Sequence, residues 1–171
     1  LLQAMPEVIN HFPDAFFFLA IRSRAFAAQQ RYWSVVTKLG CEKNCVISLE
    51  DLPIEEYVSM ADAVVLAYPS LIGTEGNPSC LLEAMASQPP VITTDLPDLR
   101  EIVTADKDVL MAKPGDSRSL AKEIVRLLKD QLLQKKLVAS AFTKSRPFSS
   151  KVIADTFLTL YETILRTGKK S

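Results

Sequence analysis

An α/β fold built on one doubly wound parallel sheet, in a single domain, is what this sequence predicts. Unbroken apolar runs at Ala15–Ile21 (AFFFLAI) and Ala63–Tyr68 (AVVLAY) lack in–out alternation, so they read as strands buried on both faces. Segments with apolar residues at helical spacing lie between such runs, and this alternation argues for a parallel sheet covered by helices. The length, 171 residues, suffices for one sizeable core and is too short for two large domains.

Leu1, Leu2, Met5, Val8, Ile9 and Phe12 fall at helical spacing, and Pro13-Asp14 ends that helix. After the strand at 15–21, a long helix runs from Arg22 to Leu39, with Gly40 in the position that commonly closes a helix. Val46–Leu49 is a short strand. Asp51-Leu52-Pro53 opens the next helix, with Pro53 near its first turn. The strand at 63–68 leads through a loop to a helix over 78–87 and a strand over 91–94. A short helix over 98–103, a last strand over 108–112 and a helix over 117–129 follow. Leu120, Ile124, Leu127 and Leu128 mark the buried face of that helix. Two further helices, over 131–144 and 149–166, complete the chain, and Lys169-Lys170-Ser171 reads as a frayed end. No internal repeat, low-complexity tract or linker interrupts the pattern.

Composition excludes several functions. Twenty basic and twenty acidic residues cancel, which argues against a broad nucleic-acid surface. No apolar run is long enough to span a bilayer. No basic region precedes an apolar stretch at Leu1-Leu2, so no signal peptide is read there. Cys41 and Cys45 form a C-x3-C pair, but with Cys80 as the third cysteine and His11 as the one histidine, no metal site is expected. The thiols read as reduced, in a cytoplasmic protein. Lys135-Lys136 and Lys169-Lys170 read as solvated faces, and Tyr32 and Trp33 as packing residues of an amphipathic helix.

The stretch from Tyr68 to Asp95 (YPSLIGTEGNPSCLLEAMASQPPVITTD) gathers polar groups where a loop meets a helix at the end of a strand. In a parallel sheet, ligands collect at such places. Asn77 is a good N-cap, and Pro78 suits the first helical position. The amides of Ser79 and Cys80 then point into the loop, where a helix start carries roughly half a unit of positive charge and binds anions. Gly73 and Gly76 allow close approach of a ligand to the backbone. Neither a P-loop nor a dinucleotide fingerprint is present. Glu75 and Glu83 sit eight residues apart, and Glu83 lies roughly 9 Å along the helix from Asn77 at about 1.5 Å per residue. A carboxylate accepts hydrogen bonds from two hydroxyls. One glutamate can therefore hold a hexose and the other a ribose, with a diphosphate between them. Spacing alone equally allows Glu75 as a solvated loop acid and Glu83 as a surface residue. The apolar setting of Glu83, among Leu81, Leu82, Ala84, Met85 and Ala86, favours the binding role.

Glu75-Gly76-Asn77-Pro78-Ser79-Cys80-Leu81-Leu82-Glu83-Ala84-Met85-Ala86, continued by Pro90-Val91-Ile92 and Asp95, resembles the E-x7-E donor site of glycosyltransferase family 4 (glycosyl transferases group 1). The resemblance extends through VISLEDLPIEEYVSMADAVVLAYPS, Arg100–Val103, Lys113–Asp116, and Phe148 with the helix after it. It implies the Rossmann-like C-terminal half of a GT-B fold over residues 1–171, with C-terminal helices at about 131–167. It implies a fragment whose N-terminal acceptor domain is absent, as are the family's diphosphate-binding Arg and Lys, which lie upstream of the first helix. Glu75 would bind hydroxyls of the donor sugar, Glu83 the ribose hydroxyls, and backbone amides from Asn77 to Cys80 the sugar and diphosphate, with Pro78, lacking an N–H, leaving its neighbours to donate; Gly76 belongs to the same donor-binding stretch. No catalytic residue is assigned on this chain. The full enzyme would transfer a hexose from a nucleotide diphosphate sugar to a sugar, glycan or lipid-linked acceptor, with retention and without an obligatory metal or cofactor. Any membrane attachment would belong to the absent half, and the isolated fragment would be inactive.

Three positions depart from the family pattern: Gln88 and Pro97-Asp98 stand where glycines are common, and Arg22-Ser23-Arg24 where the family's loop carries a glycine. They keep open a non-catalytic nucleotide-sugar-binding or scaffold module on the same fold. Arg22 and Arg24 either touch a phosphate or form a solvated loop. Asp95 either lines the cleft or caps the helix near Pro97. His11 reads as a helix-end surface residue.

Overall fold

The computed structural model describes residues 1–21, 26–50, 52–70 and 79–168. A 3-10 turn at Leu2–Ala4 enters α1 (Met5–His11), which leads to β1 (Phe17–Ala20). Helix α2 (Phe26–Lys38) leads to β2 (Cys45–Ser48), and α3 (Ile54–Met60) to β3 (Val64–Leu66). Helix α4 (Ser79–Ala86) leads to β4 (Val91–Thr94), and α5 (Pro97–Ile102) to β5 (Leu110–Ala112). Then come α6 (Ser117–Lys129), α7 (Gln131–Ser145) and α8 (Ser150–Gly168). Strand β4 and helix α6 have the bounds read from the sequence; most other elements are trimmed by a few residues at one or both ends.

Local chemistry explains the boundaries. Gly40 follows α2 at φ +66°, the left-handed geometry that closes a helix. The Asp116 carboxylate accepts from the amides of Arg118 and Ser119, both at 3.0 Å, and so caps α6. Asp130 caps α7 through the Leu133 amide at 2.9 Å. These bonds replace the intrahelical partners that a first turn lacks.

All strands pair in parallel, β1 with β2 (Phe17 opposite Cys45) and β3–β4–β5 in that order (Val64 opposite Val91, Ile92 opposite Leu110). Residue parity then sorts the core into two layers. Val65, Ile92, Leu110 and Ala112 face Ala4 and Val8 of α1 and Leu120, Ala121, Ile124 and Leu127 of α6. Val64, Leu66, Val91 and Val109 face Leu81, Ala84 and Met85 of α4 and Leu99 and Ile102 of α5. Helices therefore cover both faces, as a doubly wound α/β fold requires. A third cluster, with Met5, Val36, Cys41, Cys45 and Ile47, packs α1 and α2 on the β1–β2 pair.

Two expectations need correction. Among the described residues the sheet is not continuous: β1–β2 and β3–β4–β5 are separate hydrogen-bonded segments. Nor are β1 and β3 buried on both faces. Burial alternates along β1, with Phe18 36% exposed, and all of β3 is half-buried, whereas β4 is buried throughout. The cause is position: among the described residues, β1 and β3 are edge strands of their segments, and only β4 is flanked on both sides.

Helix α8 stands apart, packing on the 3-10 turn Arg146–Phe148. Ile153, Phe157, Leu160, Tyr161 and Ile164 form an exposed apolar stripe along it. Among the described residues, no helix is long and apolar enough to cross a membrane.

Candidate functional site

The carboxyl ends of β3 and β4 and the first turn of α4 converge. Past β3, the Tyr68 amide donates to Thr94 Oγ1 at the end of β4, at 3.1 Å. The Thr93 hydroxyl donates to the Leu66 carbonyl at 3.0 Å. These two buried threonines bond the ends of β3 and β4 together through side chains, beyond the ladder itself. The Tyr68 hydroxyl lies 3.3 Å from Cys80 Sγ, so the first turn of α4 sits beside the end of β3. Burial, and then the contact with Cys80, push the Tyr68 phenol well above its ordinary range, so it stays protonated and able to donate.

On α4, Leu81, Ala84 and Met85 are buried, while Ser79, Cys80 and Glu83 are exposed. Cys80 and Glu83 are three residues apart and share a face. Glu83 is the one charged residue of the helix, and among the described residues its carboxylate makes no ion pair. Its carbonyl accepts from both the amide and the hydroxyl of Ser87, each at 2.9 Å, which closes the last turn. Gln88 follows at φ +70°, a conformation that favours glycine. The departure noted there in the sequence thus falls where a side chain is strained.

Of the expected site residues, Ser79, Cys80 and Glu83 come together here. Glu75, Gly76, Asn77 and Pro78 lie outside the described residues, as do Gly73, Arg22, Arg24, Asp51 and the terminal lysine pair. Asp95 caps nothing: the residue before α5 is Leu96, with no side-chain bond to the helix start. Asp95 instead accepts a bidentate pair from Arg100, at 2.5 and 2.6 Å. That hydrogen bonding holds its carboxyl below the usual range. The pair lines a shallow hollow with Val103, Thr104, Ala105 and Met111. His11 is exposed at the end of α1, its Nδ1 3.0 Å from the Glu7 carbonyl. Cys41 and Cys45 are buried free thiols, both held above the ordinary thiol range chiefly by burial.

Sequence reasoning missed the Tyr68–Cys80 and Tyr68–Thr94 contacts, which link residues 12 and 26 apart. Placing a strand end at Tyr68 and a helix start near Ser79 was the signal that could have found the first. It also missed Asp108, which is 1% exposed. Its oxygens accept from the Thr104 amide at 2.9 Å and the Ser140 hydroxyl at 2.6 Å, with Lys144 Nζ at 3.8 Å. This carboxylate ties α7 to the approach to β5 and is structural.

A parallel α/β domain with helices on both faces, and a helix start beside the carboxyl ends of its strands, belongs to the class that binds ligands at that edge. The sequence model described as Glycosyl transferases group 1 matches residues 1–130, and the chain belongs to that family. Its architecture is that of the C-terminal half of a GT-B glycosyltransferase. Relatives include the phosphatidyl-myo-inositol mannosyltransferase of Mycobacterium leprae, 32% identical over 66% of this chain and 30% of that protein. The same enzyme of Mycobacterium tuberculosis is 27% identical over 99% of this chain and 44% of that protein. The chain thus spans less than half the length of these relatives. Solved structures with this fold include Anabaena HepE in complex with UDP-glucose, at TM-score 0.82 and 17% identity, over 95% of this chain and 44% of that one. Sucrose-phosphate synthase from Thermosynechococcus elongatus gives TM-score 0.77 at 20% identity, over 97% and 42%.

Proposed function

We propose that this chain is the donor-binding domain of a retaining glycosyltransferase that moves a hexose from a nucleotide diphosphate sugar to a sugar, glycan or lipid-linked acceptor. The observation that carries this reading is the first turn of α4. It lies against the end of β3 through the Tyr68–Cys80 contact, and one turn on Glu83, the helix's one charge, is exposed. Around it the sequence has the family's E-x7-E pattern.

In this reading Glu83 accepts hydrogen bonds from both ribose hydroxyls, and Glu75 accepts from hydroxyls of the hexose. The amides of Ser79 and Cys80, with Gly76 and Asn77, face the diphosphate, and Pro78 shapes the turn between them. As the glycosidic bond to the diphosphate breaks, negative charge grows on the leaving oxygens. Fixed amides at a helix start stabilise that charge without having to reorganise. No obligatory metal or cofactor is called for. The names of the mycobacterial relatives favour mannose as the sugar and a lipid as the acceptor, and the HepE complex favours a nucleoside diphosphate carrier. The acceptor side of the cleft is assigned to another part of a longer polypeptide, so this chain alone is expected to bind donor and not to transfer. We place it in the cytoplasm.

Titration calorimetry with UDP, GDP and ADP tests this. One of the three binds, and Glu83→Ala weakens it by about tenfold or more, since each hydrogen bond to a charged group is worth about 1.5–3 kcal/mol. Binding by none, or binding indifferent to Glu83→Ala, contradicts it.

A further inference from the structure

Tyr68 holds a hydrogen-bond donor at the start of α4, and three contacts fix it there. Its amide donates to Thr94 Oγ1 at 3.1 Å, and Thr94 is 4% exposed at the end of β4. Its ring packs on the cluster that contains Leu81, Ala84 and Met85 of α4. Its hydroxyl lies 3.3 Å from Cys80 Sγ, and Cys80 is exposed. Backbone, ring and hydroxyl are thus held by β4, by the core and by the first turn of α4. A side chain fixed in this way loses little further freedom when a ligand arrives.

The thiol is a poor partner for a phenol. Sulfur is a weak acceptor and S–H a weak donor. An O–H directed at a phosphate oxygen makes a charge-assisted bond, roughly twice as strong as one between neutral groups. A switch of the hydroxyl from Sγ to an anion is therefore downhill. Burial, and then the contact with Cys80, keep the phenol protonated, so it meets an anion as a donor.

The surroundings place donors at one end and an acceptor at the other. Cys80 and the exposed Glu83 share a face of α4, about 4.5 Å apart along its axis. The Tyr68 hydroxyl meets that face at Cys80, and the carboxylate of Glu83 stands one turn further on. First-turn amides, which lack intrahelical partners, add to the donor end. A ribose phosphate has the matching polarity: its phosphate accepts, and its hydroxyls donate to a carboxylate. Arg100, close to the end of β4, is committed to Asp95 through two bonds.

We infer that Tyr68 is a further binding residue of the donor site, whose hydroxyl donates to the phosphate next to the ribose of a nucleoside diphosphate. The inference rests on the donor reading, with Glu83 as the ribose contact. It divides recognition along one helix face: Glu83 reads the ribose, and Tyr68 reads the phosphate. A tyrosine that only tied β3 to α4 would act on the ligand through the helix, and would disturb the Glu83 contact as well.

The test uses whichever of UDP, GDP and ADP binds the chain. Tyr68→Phe keeps the ring in the core and removes the hydroxyl. Calorimetry should show about tenfold weaker binding, the loss of one hydrogen bond to a charged group. In phosphorus NMR the bound signal of the phosphate next to the ribose should move back toward its free position. The Glu83 amide should still shift at saturation, because the ribose contact remains. The Ile92 and Leu110 amides, unchanged by the substitution, report that the variant is folded. A second measurement needs no variant and decides the matter if Tyr68→Phe fails to fold: in carbon NMR with isotope-labelled tyrosine, Tyr68 Cζ should shift as the nucleotide saturates the unaltered chain. Undiminished affinity in Tyr68→Phe, or a Cζ signal that does not move, overturns the inference. So does weaker binding in which the Glu83 amide no longer shifts, because Tyr68 then acts by holding α4. Binding that Glu83→Ala weakens and Tyr68→Phe does not removes this inference alone and leaves the donor reading standing. Binding of no nucleotide by the unaltered chain removes both.

Discussion

Cys80 is a probe already placed in the candidate site. It is exposed, while Cys41 and Cys45 are buried, so a mild alkylating reagent should label Cys80 first. A nucleoside diphosphate bound at the start of α4 covers it. Labelling followed by mass spectrometry should slow several-fold in the presence of the nucleotide that binds, and an unchanged rate would place the ligand elsewhere. Gln88 makes a second prediction at this scale. Its φ of +70° costs a side chain something that glycine avoids. Gln88→Gly should stabilise the fold by about 0.5–1 kcal/mol, after subtracting the greater unfolded-state freedom of glycine. Denaturant melts that show no gain would mean the strain is relieved elsewhere. At this scale the sequence made legible the place of Glu83 as the one charge within the apolar helix α4. The contacts of Tyr68 and Asp95 were not legible, because their partners are fixed by how elements meet and by a pairing five residues away in the next helix.

Gly40 marked the end of α2 well, because its φ preference acts locally. Asp116 and Asp130 cap α6 and α7 through local hydrogen bonds, where the sequence reading rests on apolar spacing alone. Burial was misread where it depends on neighbours. The run AVVLAY has the composition of a central strand, yet β3 is half-buried, since among the described residues it pairs with a strand on one side only. Asp108 shows the converse: a charge in an apolar stretch read simply as the first residue of a strand, but held by three partners. Asp108→Ala strips the Thr104 amide and the Ser140 hydroxyl of their acceptor. It should cost about 1–3 kcal/mol in urea unfolding, and Ser140→Ala should cost less. Equal, negligible costs would show that α7 is held by its apolar contacts alone.

Over the whole molecule, alternation of strands and helices made the fold class legible, because parallel connections force that order on a chain. Family membership was legible through one motif, Glu75 to Glu83, whose parts are close in sequence. What sequence could not reveal was the division of the sheet among the described residues, since strand pairing is set by tertiary contacts far apart in the chain. The apolar stripe of α8, from Ile153 to Ile164, was likewise read only as a helix. In the proposed function, the carboxyl edge of the β3–β5 segment, with the first turn of α4, is the place where a nucleotide sugar docks. The most direct measurement is an NMR titration of the chain with nucleoside diphosphate sugars, following backbone amides. Shifts gathered at Tyr68, Ser79, Cys80, Glu83 and Thr94, and lost in Glu83→Ala, are the predicted result. Shifts absent from those amides, or gathered instead around Asp108 or α8, would contradict it.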